Sequence, residues 1–105
     1  MKKITTYQLK DLIARQKKIQ LIDTRSSREF TNGHIEGAIN IPKEDIEANP
    51  EQFNKDRPIV LYCIYGIKST KTALLLEEHG YSDISVLIDG IYQWKKDIDS
   101  SLFIL

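Results

Sequence analysis

The sequence has a single cysteine among its 105 residues. One thiol can neither close an intramolecular disulfide nor supply a thiolate zinc site, so neither kind of cross-link can stabilise the fold within one chain. We expect no metal site and no cofactor. A chain without disulfides fits a reducing compartment, and the cytoplasm is the expected location.

An excess of charge of either sign is also lacking. The 15 basic and 15 acidic side chains give a formal net charge of zero, which does not favour binding to nucleic acid or to an anionic membrane surface. The first residues have no apolar h-region and no cleavage site, so we do not expect a signal peptide. No apolar run approaches the ~18 residues that cross a bilayer. Any bound anion must be held by a local site.

Alternating apolar runs and helical patterns predict an α/β fold. A length of 105 residues predicts one domain over residues 1–105. Strands are predicted at residues 19–23, 37–42, 58–63 and 83–89, and helices at 5–18, 26–33, 69–80 and 90–97, with one or two brief helices within 43–55. This alternation is typical of a mostly parallel central sheet flanked by helices.

Polar residues and glycines mark the helix ends. Ser26 and Glu29 have the spacing of a capping box, and Gly80 is a stop signal. Helix 69–80 is predicted to bury residues 73–76, and the last helix to bury Ile91 and Trp94. The other predicted caps are Thr5 or Thr6 for the first helix and Ser69 or Thr70 for helix 69–80.

The cysteine follows the most continuous apolar run, "PIVLYC". In open α/β sheets the ligand crevice lies beyond the carboxyl ends of the strands, which is where Cys63 is expected. The loop "CIYGIKS" then leads into a helix, and its backbone N–H groups and the helix dipole can stabilise an anion. Gly66 and Ser69 favour this functional interpretation, because glycine lets the backbone curl. The alternative is that Cys63 is a small buried apolar residue.

Four blocks of the sequence resemble the rhodanese family in its single-domain form. "LIDTRSSREFTNGHIEGAINIP" is similar to the first family signature, and "VLYCIYGIKS" to its active-site strand and loop. "TALLLEEHGY" is similar to the helix behind that loop, and "VLIDGIYQWKK" to the closing signature. Two positions depart from the pattern: Asp89 stands where the family often has glycine, and Lys68 where many members have arginine.

The resemblance implies a rhodanese-like three-layer domain and a two-step sulfur transfer. Cys63 would be the nucleophile that takes a sulfane sulfur from a donor such as thiosulfate and passes it, as a persulfide, to cyanide or another thiol, including the thiol of a protein acceptor. Lys68 would attract the anionic donor. The loop expected to hold the negative charge consists of Ile64, Tyr65, Gly66, Ile67, Lys68 and Ser69.

Other candidate residues have a structural interpretation beside the functional one. Arg25 is a supporting candidate that could reach the substrate from a strand end, or form a structural ion pair with Asp23 and Glu29. His34 is expected to fix a turn through hydrogen bonds, and His79 to suit a helix end. Tyr65 either shapes the pocket entrance or is simply exposed.

Two other functions use the same architecture. The dual-specificity cell-cycle phosphatases resemble rhodaneses but need Cys-x5-Arg to clamp phosphate, and here the sixth residue after Cys63 is Ser69. A catalytically silent rhodanese-like module for binding or regulation is the second possibility, and a dedicated persulfide carrier lies between module and enzyme. Retention of Cys63 and Gly66 favours the enzyme.

Overall fold

The computed structural model describes residues 1–15 and 18–104 as a five-stranded sheet flanked by five helices. The strands are β1 (Lys2–Ile4), β2 (Gln20–Asp23), β3 (Ile39–Asn40), β4 (Ile59–Tyr62) and β5 (Ile84–Leu87). The helices are α1 (Thr6–Arg15), α2 (Ser27–Asn32), α3 (Lys43–Ala48), α4 (Ile67–Glu78) and α5 (Gly90–Asp97).

The sheet has the strand order β1-β5-β4-β2-β3, and all four strand pairs are parallel. Strand β4 is central, with Leu61 in register with Ile22 on one side and Val86 on the other. The predicted α/β class with a mostly parallel sheet is therefore confirmed. Strand β1 was not predicted, because three residues with two exposed lysines carry no strand pattern.

Side chains that alternate along the strands divide the core into two clusters, one on each face of the sheet. On one face Val60 and Tyr62 of β4 pack with Leu9 of α1 and Ile91 and Trp94 of α5. The opposite cluster consists of Ile22, Ile46, Phe53, Ile59, Leu61, Ala73, Leu76, Tyr81, Ile84 and Val86, which brings α3 and α4 onto that face. The period of two in β4 thus produces three layers.

Two of the predicted helix starts are confirmed. Oγ1 of Thr5 accepts a hydrogen bond from the N–H of Gln8, and Oε1 of Gln8 accepts one from the N–H of Thr5, which caps α1. The capping box of Ser26 and Glu29 is present at the start of α2, and Gly33 caps its end. The first helix was predicted to extend to residue 18; residues 16–17 lie outside the described part of the chain.

The start of α4 was predicted wrongly, and its buried face was predicted only in part, since Ala73 and Leu76 are buried as expected. The helix begins at Ile67 with Gly66 as its N-cap, rather than at Ser69 or Thr70. Leu74 is half exposed, although the run 73–76 predicted a buried face. The buried positions are Ser69, Thr72, Ala73 and Leu76. Their spacing of 0, 3, 4 and 7 is that of one helical face, so two small polar residues sit where the hydrophobic pattern was expected to continue.

Residues 43–55 contain one helix. Helix α3 ends at Ala48, and the residues around Pro50 form turns rather than the second brief helix that the sequence allowed. Pro42 occupies the N-cap of α3, in agreement with its predicted role at the end of the extended segment 37–42. Within that segment only Ile39 and Asn40 pair with β2.

Candidate active site

The candidate site lies at the carboxyl ends of the parallel strands. Residues 24–26 follow β2, residues 63–66 follow β4, and residues 88–89 follow β5. Since β2, β4 and β5 are neighbours in the sheet, these three connections meet at one edge. Cys63 comes directly after the central strand and is only 3% exposed.

Hydrogen bonds from the loop converge on the sulfur of Cys63. The backbone N–H of Gly66 donates to Sγ at 3.1 Å, and the N–H of Ser69 donates at 3.4 Å. The hydroxyl oxygen of the buried Ser69 lies 3.3 Å from Sγ. The sulfur also faces the first turn of α4, where helix N–H groups have no partner within the helix and the dipole is positive. This environment favours negative charge on the sulfur.

The conformation of Gly66 explains how the loop turns its N–H groups inward. Its φ of 90° lies in the left-handed region, which side chains other than glycine rarely adopt. A Cβ atom there would lie 3.2 Å from both the N of Asp89 and the carbonyl oxygen of Leu87. Gly66 is therefore required by its backbone conformation and by its close approach to the connection after β5.

The first turn of α5 holds the loop in place through two backbone hydrogen bonds. The N–H of Ile91 donates to the carbonyl oxygen of Cys63 at 2.9 Å, and the N–H of Tyr92 donates to that of Ile64 at 3.1 Å. A Cβ at Gly90 would overlap both of these oxygens. This contact between α5 and the loop was not predicted from the sequence, although a glycine where a strand turns into a helix could have indicated a close backbone approach.

Arg25 forms a buried ion pair with Asp23. Its Nε and Nη2 donate to the two carboxylate oxygens at 2.7–3.2 Å, and Nη2 also donates to the carbonyl oxygen of Gly33 at 2.7 Å. Burial opposes the charge, but hydrogen bonds and attraction to Asp23 outweigh it, so the pKa of Arg25 lies above its ordinary value. Nη1 of Arg25 is buried without a hydrogen-bond partner among the described residues.

Tyr62, the last residue of β4, supports the site through its hydrogen bonds. Its hydroxyl oxygen accepts a hydrogen bond from the N–H of Ile35, and its carbonyl oxygen accepts from both the N–H and the hydroxyl of Thr24. Burial, followed by the negative charge of Asp23, raises the pKa of Tyr62 far above its ordinary range. The phenol is therefore neutral and acts as a structural support.

A cleft of about 180 Å³ opens beside Cys63. Of the predicted site residues, Cys63, Ile64, Lys68 and Arg25 line it. Lys68 is exposed on the first turn of α4. The charged residues Glu29, Lys43 and Glu44 also line the cleft but were not predicted as cleft residues, because nothing in the sequence places α2 and the start of α3 next to the loop.

The remaining loop residues are divided between the interior and the neighbouring surface. Ser69 is fully buried beneath the sulfur. The side chains of Tyr65 and Ile67 are 55% and 69% exposed and line a different depression, next to Ile88. The loop thus separates a polar cleft from an apolar surface.

Both histidines make local contacts away from the sulfur. Nδ1 of His34 lies 2.7 Å from the carbonyl oxygen of Phe30, and the two rings stack. Nδ1 of His79 lies 2.9 Å from a carboxylate oxygen of Glu51. In residues 1–15 and 18–104, no three histidine, cysteine or carboxylate side chains are close enough to hold a metal ion. None of the helices described is both long and apolar enough to cross a membrane.

Comparisons with known proteins point to one family. A family model described as rhodanese-like domain matches residues 5–97. Thiosulfate sulfurtransferase GlpE of Shewanella oneidensis is 38% identical over 78 residues, which cover 74% of this chain and 77% of that protein. The probable adenylyltransferase/sulfurtransferase MoeZ of Mycobacterium tuberculosis is 34% identical over 101 residues, 94% of this chain but 26% of that protein.

A solved structure agrees with the family match. The crystal structure of a rhodanese-like domain protein from Staphylococcus aureus superposes with a TM-score of 0.83 and 33% sequence identity, over 100% of this chain and 99% of that one. The similarity therefore extends over all the layers described above.

Proposed function

This chain belongs to the rhodanese-like domain family, and on that premise we propose that it transfers a sulfane sulfur through a persulfide on Cys63. The donor in this proposal is an anion such as thiosulfate, and the acceptor is cyanide or a thiol. The relative from Shewanella oneidensis is named a thiosulfate sulfurtransferase, which supports this choice of donor.

The convergence of the loop on the sulfur is the observation that carries the proposal. The N–H groups of Gly66 and Ser69 point at Sγ, and α4 begins beside them. Preorganised donors of this kind stabilise the anionic forms of the sulfur without a cost of reorganisation during the reaction. A merely structural cysteine would not need two backbone donors and a hydroxyl group.

The proposed reaction consists of two displacements on sulfur. The thiolate of Cys63 attacks the sulfane sulfur of thiosulfate; the new S–S bond forms as the old one breaks, and sulfite leaves with the electron pair. The acceptor then attacks the outer sulfur of the persulfide, which releases the Cys63 thiolate and carries the sulfur away as thiocyanate or a new persulfide. The first displacement is matched by the second, so no external oxidant or reductant is consumed.

The loop amides have the same task in both steps, because the negative charge stays at or next to the sulfur throughout. Lys68, exposed at the mouth of the cleft, would attract and orient the anionic donor. No proton is transferred to carbon, nitrogen or oxygen in either displacement, so a paired general base is not required. Because a free catalytic thiol is kept reduced in the cytoplasm, this is the compartment we propose.

Mass spectrometry of the intact protein after incubation with thiosulfate tests the proposal. We expect a mass gain of one sulfur atom that cyanide removes, with thiocyanate as the product. Cys63→Ser is the control: it replaces one buried atom and should keep the fold while losing the mass gain completely. Circular dichroism of both proteins verifies the fold.

Two results would overturn the proposal. If the folded wild-type protein gains no sulfur from thiosulfate, the chain is better explained as a binding or regulatory module. If Cys63→Ser still forms thiocyanate, another group is the nucleophile.

A further inference from the structure

The exposed apolar side chains of the described chain are unevenly distributed. Eight large apolar side chains are exposed. Five of these lie in the loops and first helical turns that follow β1, β5 and β4: Tyr7, Tyr65, Ile67, Ile88 and Tyr92. These three strands are neighbours in the order β1-β5-β4, so their carboxyl ends lie side by side and form one half of the end of the sheet that carries Cys63. We call these five residues the apolar patch. The polar cleft lies on the other half, between the connections after β4 and β2.

The members of the apolar patch form a continuous surface. Tyr65, Ile67 and Ile88 line one depression, and Ile88 and Tyr7 line the next. The ring of Tyr65 lies 5.3 Å from that of Tyr92, centroid to centroid. Cys63 therefore stands at the boundary between an apolar surface and a polar cleft, with its own loop contributing to both.

The border of the apolar patch carries three lysines and two aspartates: Asp89 lines both depressions, and Asp97 lines the one beside Tyr7. Lys3 and Lys71 line the same depression as Tyr65, and Nζ of Lys96 lies 4.3 Å from the ring centroid of Tyr92. Within residues 1–15 and 18–104, neither Lys3, Lys68 nor Lys71 forms an ion pair. Lysines therefore exceed aspartates by one at this border, and they can pair with acidic side chains of a partner.

We propose that the apolar patch is the docking surface for a protein acceptor whose reactive cysteine lies in an apolar segment flanked by aspartate or glutamate. This inference rests on the proposed sulfur transfer and names the class of acceptor. An apolar patch with exposed tyrosines and a charged border is typical of a protein interface. The lysines set the sign of the partner by charge complementarity.

The position of Cys63 limits which part of a protein acceptor can reach the sulfur. Cys63 is 3% exposed beside a cleft of about 180 Å³, so the acceptor must insert a narrow group past Lys68. A single cysteine side chain meets this requirement. The partner surface around that cysteine would then cover Tyr65 and Ile67, which lie on the opposite side of the same loop. A small thiol or a cyanide ion is too small to cover these two side chains.

Three matched peptides test the chemistry of the partner: Asp-Phe-Cys-Leu-Glu, Lys-Phe-Cys-Leu-Lys and Asp-Ser-Cys-Ser-Glu, with blocked ends. The protein is loaded with thiosulfate, and kcat/KM for transfer to each peptide is compared between wild type and variants. The ratio of wild type to variant cancels the intrinsic reactivity of each peptide thiol. Transfer to cyanide is measured in parallel and reports on the basic reaction.

The variants are Ile88→Thr and Tyr7→Ser in the apolar patch, and Ile39→Thr as the control. Ile39 is 54% exposed on β3 at the far edge of the sheet, and its substitution is the same as that of Ile88. We expect each patch variant to lower kcat/KM for the acidic apolar peptide by about fivefold, because contact area is lost. Transfer to cyanide and the other two peptides should change by less than twofold, and Ile39→Thr should change nothing.

The outcomes separate this inference from the proposed function. If cyanide accepts sulfur but the patch variants treat all three peptides as the wild type does, the docking surface is refuted and the sulfur transfer stands. Equal losses in Ile39→Thr and Ile88→Thr would likewise refute it. If no sulfur is transferred to cyanide, the proposed function fails and this inference falls with it. An acidic apolar peptide with serine in place of cysteine should still shift the NMR signals of the patch; their absence would also overturn the docking surface.

Discussion

At the scale of single residues, the site depends on how one thiol is surrounded. Sγ of Cys63 accepts hydrogen bonds from Gly66 and Ser69, while the carbonyl oxygens of Cys63 and Ile64 accept from the start of α5. The N–H groups of Gly66 and Ser69 hold the sulfur, and the N–H groups at the start of α5 hold the backbone next to it. Both sets of hydrogen bonds keep the loop in place around the sulfur, which is the arrangement that stabilises charge most effectively.

Lys68 is expected to act through charge on the anionic donor. Lys68→Ala should raise the KM for thiosulfate about fivefold. The effect is no larger because water and salt partly screen the attraction between a solvated lysine and the donor. Measured from low to high ionic strength, kcat/KM for thiosulfate should depend less on salt in the variant. Transfer from the persulfide to a neutral thiol should be unaffected.

Lys2 offers a matched control for this measurement. It is exposed at the start of β1, at the opposite end of the sheet from Cys63, so Lys2→Ala removes the same charge without reaching the cleft. Salt curves of equal height and slope for Lys68→Ala and the wild type would mean that Lys68 does not bind the donor.

The ion pair of Arg25 and Asp23 leads to a prediction about stability. Arg25→Met leaves the carboxylate of Asp23 buried and uncompensated, so the free energy of unfolding should fall by about 3–5 kcal/mol. The double variant Asp23→Asn, Arg25→Met removes both charges and should recover at least about 1 kcal/mol of this loss. Urea titration of the three proteins measures both values.

The same variant distinguishes structural support from substrate binding. At a temperature where Arg25→Met is folded, a supporting residue leaves the KM for thiosulfate near that of the wild type. An increase of tenfold or more in KM, with little change in stability, would contradict the structural interpretation and make Arg25 a donor-binding group.

At the scale of elements, the decisive contact is that between α5 and the loop after β4. Gly90 has a φ of 61°, and a Cβ there would overlap the carbonyl oxygens of Cys63 and Ile64. Gly90→Ala must therefore move either α5 or the loop. We expect a loss of about 3 kcal/mol in stability, and a fall of more than tenfold in the rate of persulfide formation in the molecules that remain folded.

Gly37→Ala is the matched control for Gly90→Ala. Gly37 also has a positive φ, of 88°, but a Cβ there would meet no atom within 4 Å. Its substitution should cost only the backbone term, about 1–2 kcal/mol, and leave the rate unchanged. If both variants lose the same amount of stability and activity, the bracing of the loop by α5 is not important.

The elements also show what the sequence could and could not predict. Strands β2, β4 and β5 were predicted because their apolar runs end at polar or turn residues. The buried face of α4 was predicted only in part. Ala73 and Leu76 are buried as expected, whereas Ser69 and Thr72 were missed because small polar residues that lie against the sheet leave no hydrophobic pattern; Ser69 also contacts Sγ of Cys63. The position of Cys63 could be predicted from the strand that precedes it, whereas the brace from α5 depends on contacts between distant segments. Long-range backbone contacts of this kind leave no periodic pattern in a sequence.

At the scale of the whole molecule, the parallel sheet concentrates the chemistry at one edge. The connections after β1, β5, β4 and β2 all emerge there, and they carry the apolar patch, Cys63 and the ion pair of Arg25 in that order. The opposite end carries the loops that return from the helices to the strands, such as residues 49–58 and 79–83. The end that carries Cys63 is partly apolar and bears charged residues of both signs.

The two core clusters give the last prediction, because both pack on the same sheet. Ile46 of α3 is fully buried in one cluster, and Trp94, the only tryptophan, lies in the other. If residues 1–105 form one cooperative domain, as the sequence predicts, damage on one face must destabilise the other equally. Ile46→Ala should lower the free energy of unfolding by about 2–5 kcal/mol.

The fluorescence of Trp94 and far-ultraviolet circular dichroism, followed in the same urea titration, measure this coupling. In Ile46→Ala both signals should shift to the same lower midpoint with an unchanged slope, although Trp94 does not belong to the cluster that was changed. Leu9→Ala, in the cluster of Trp94, is the matched variant and should behave in the same way. Two separate transitions in Ile46→Ala, with Trp94 unfolding at the wild-type midpoint, would show that the faces unfold independently and that the chain is not one cooperative domain. A single transition follows if β4 couples the faces, because its successive side chains belong alternately to the two clusters and neither can be lost without the strand.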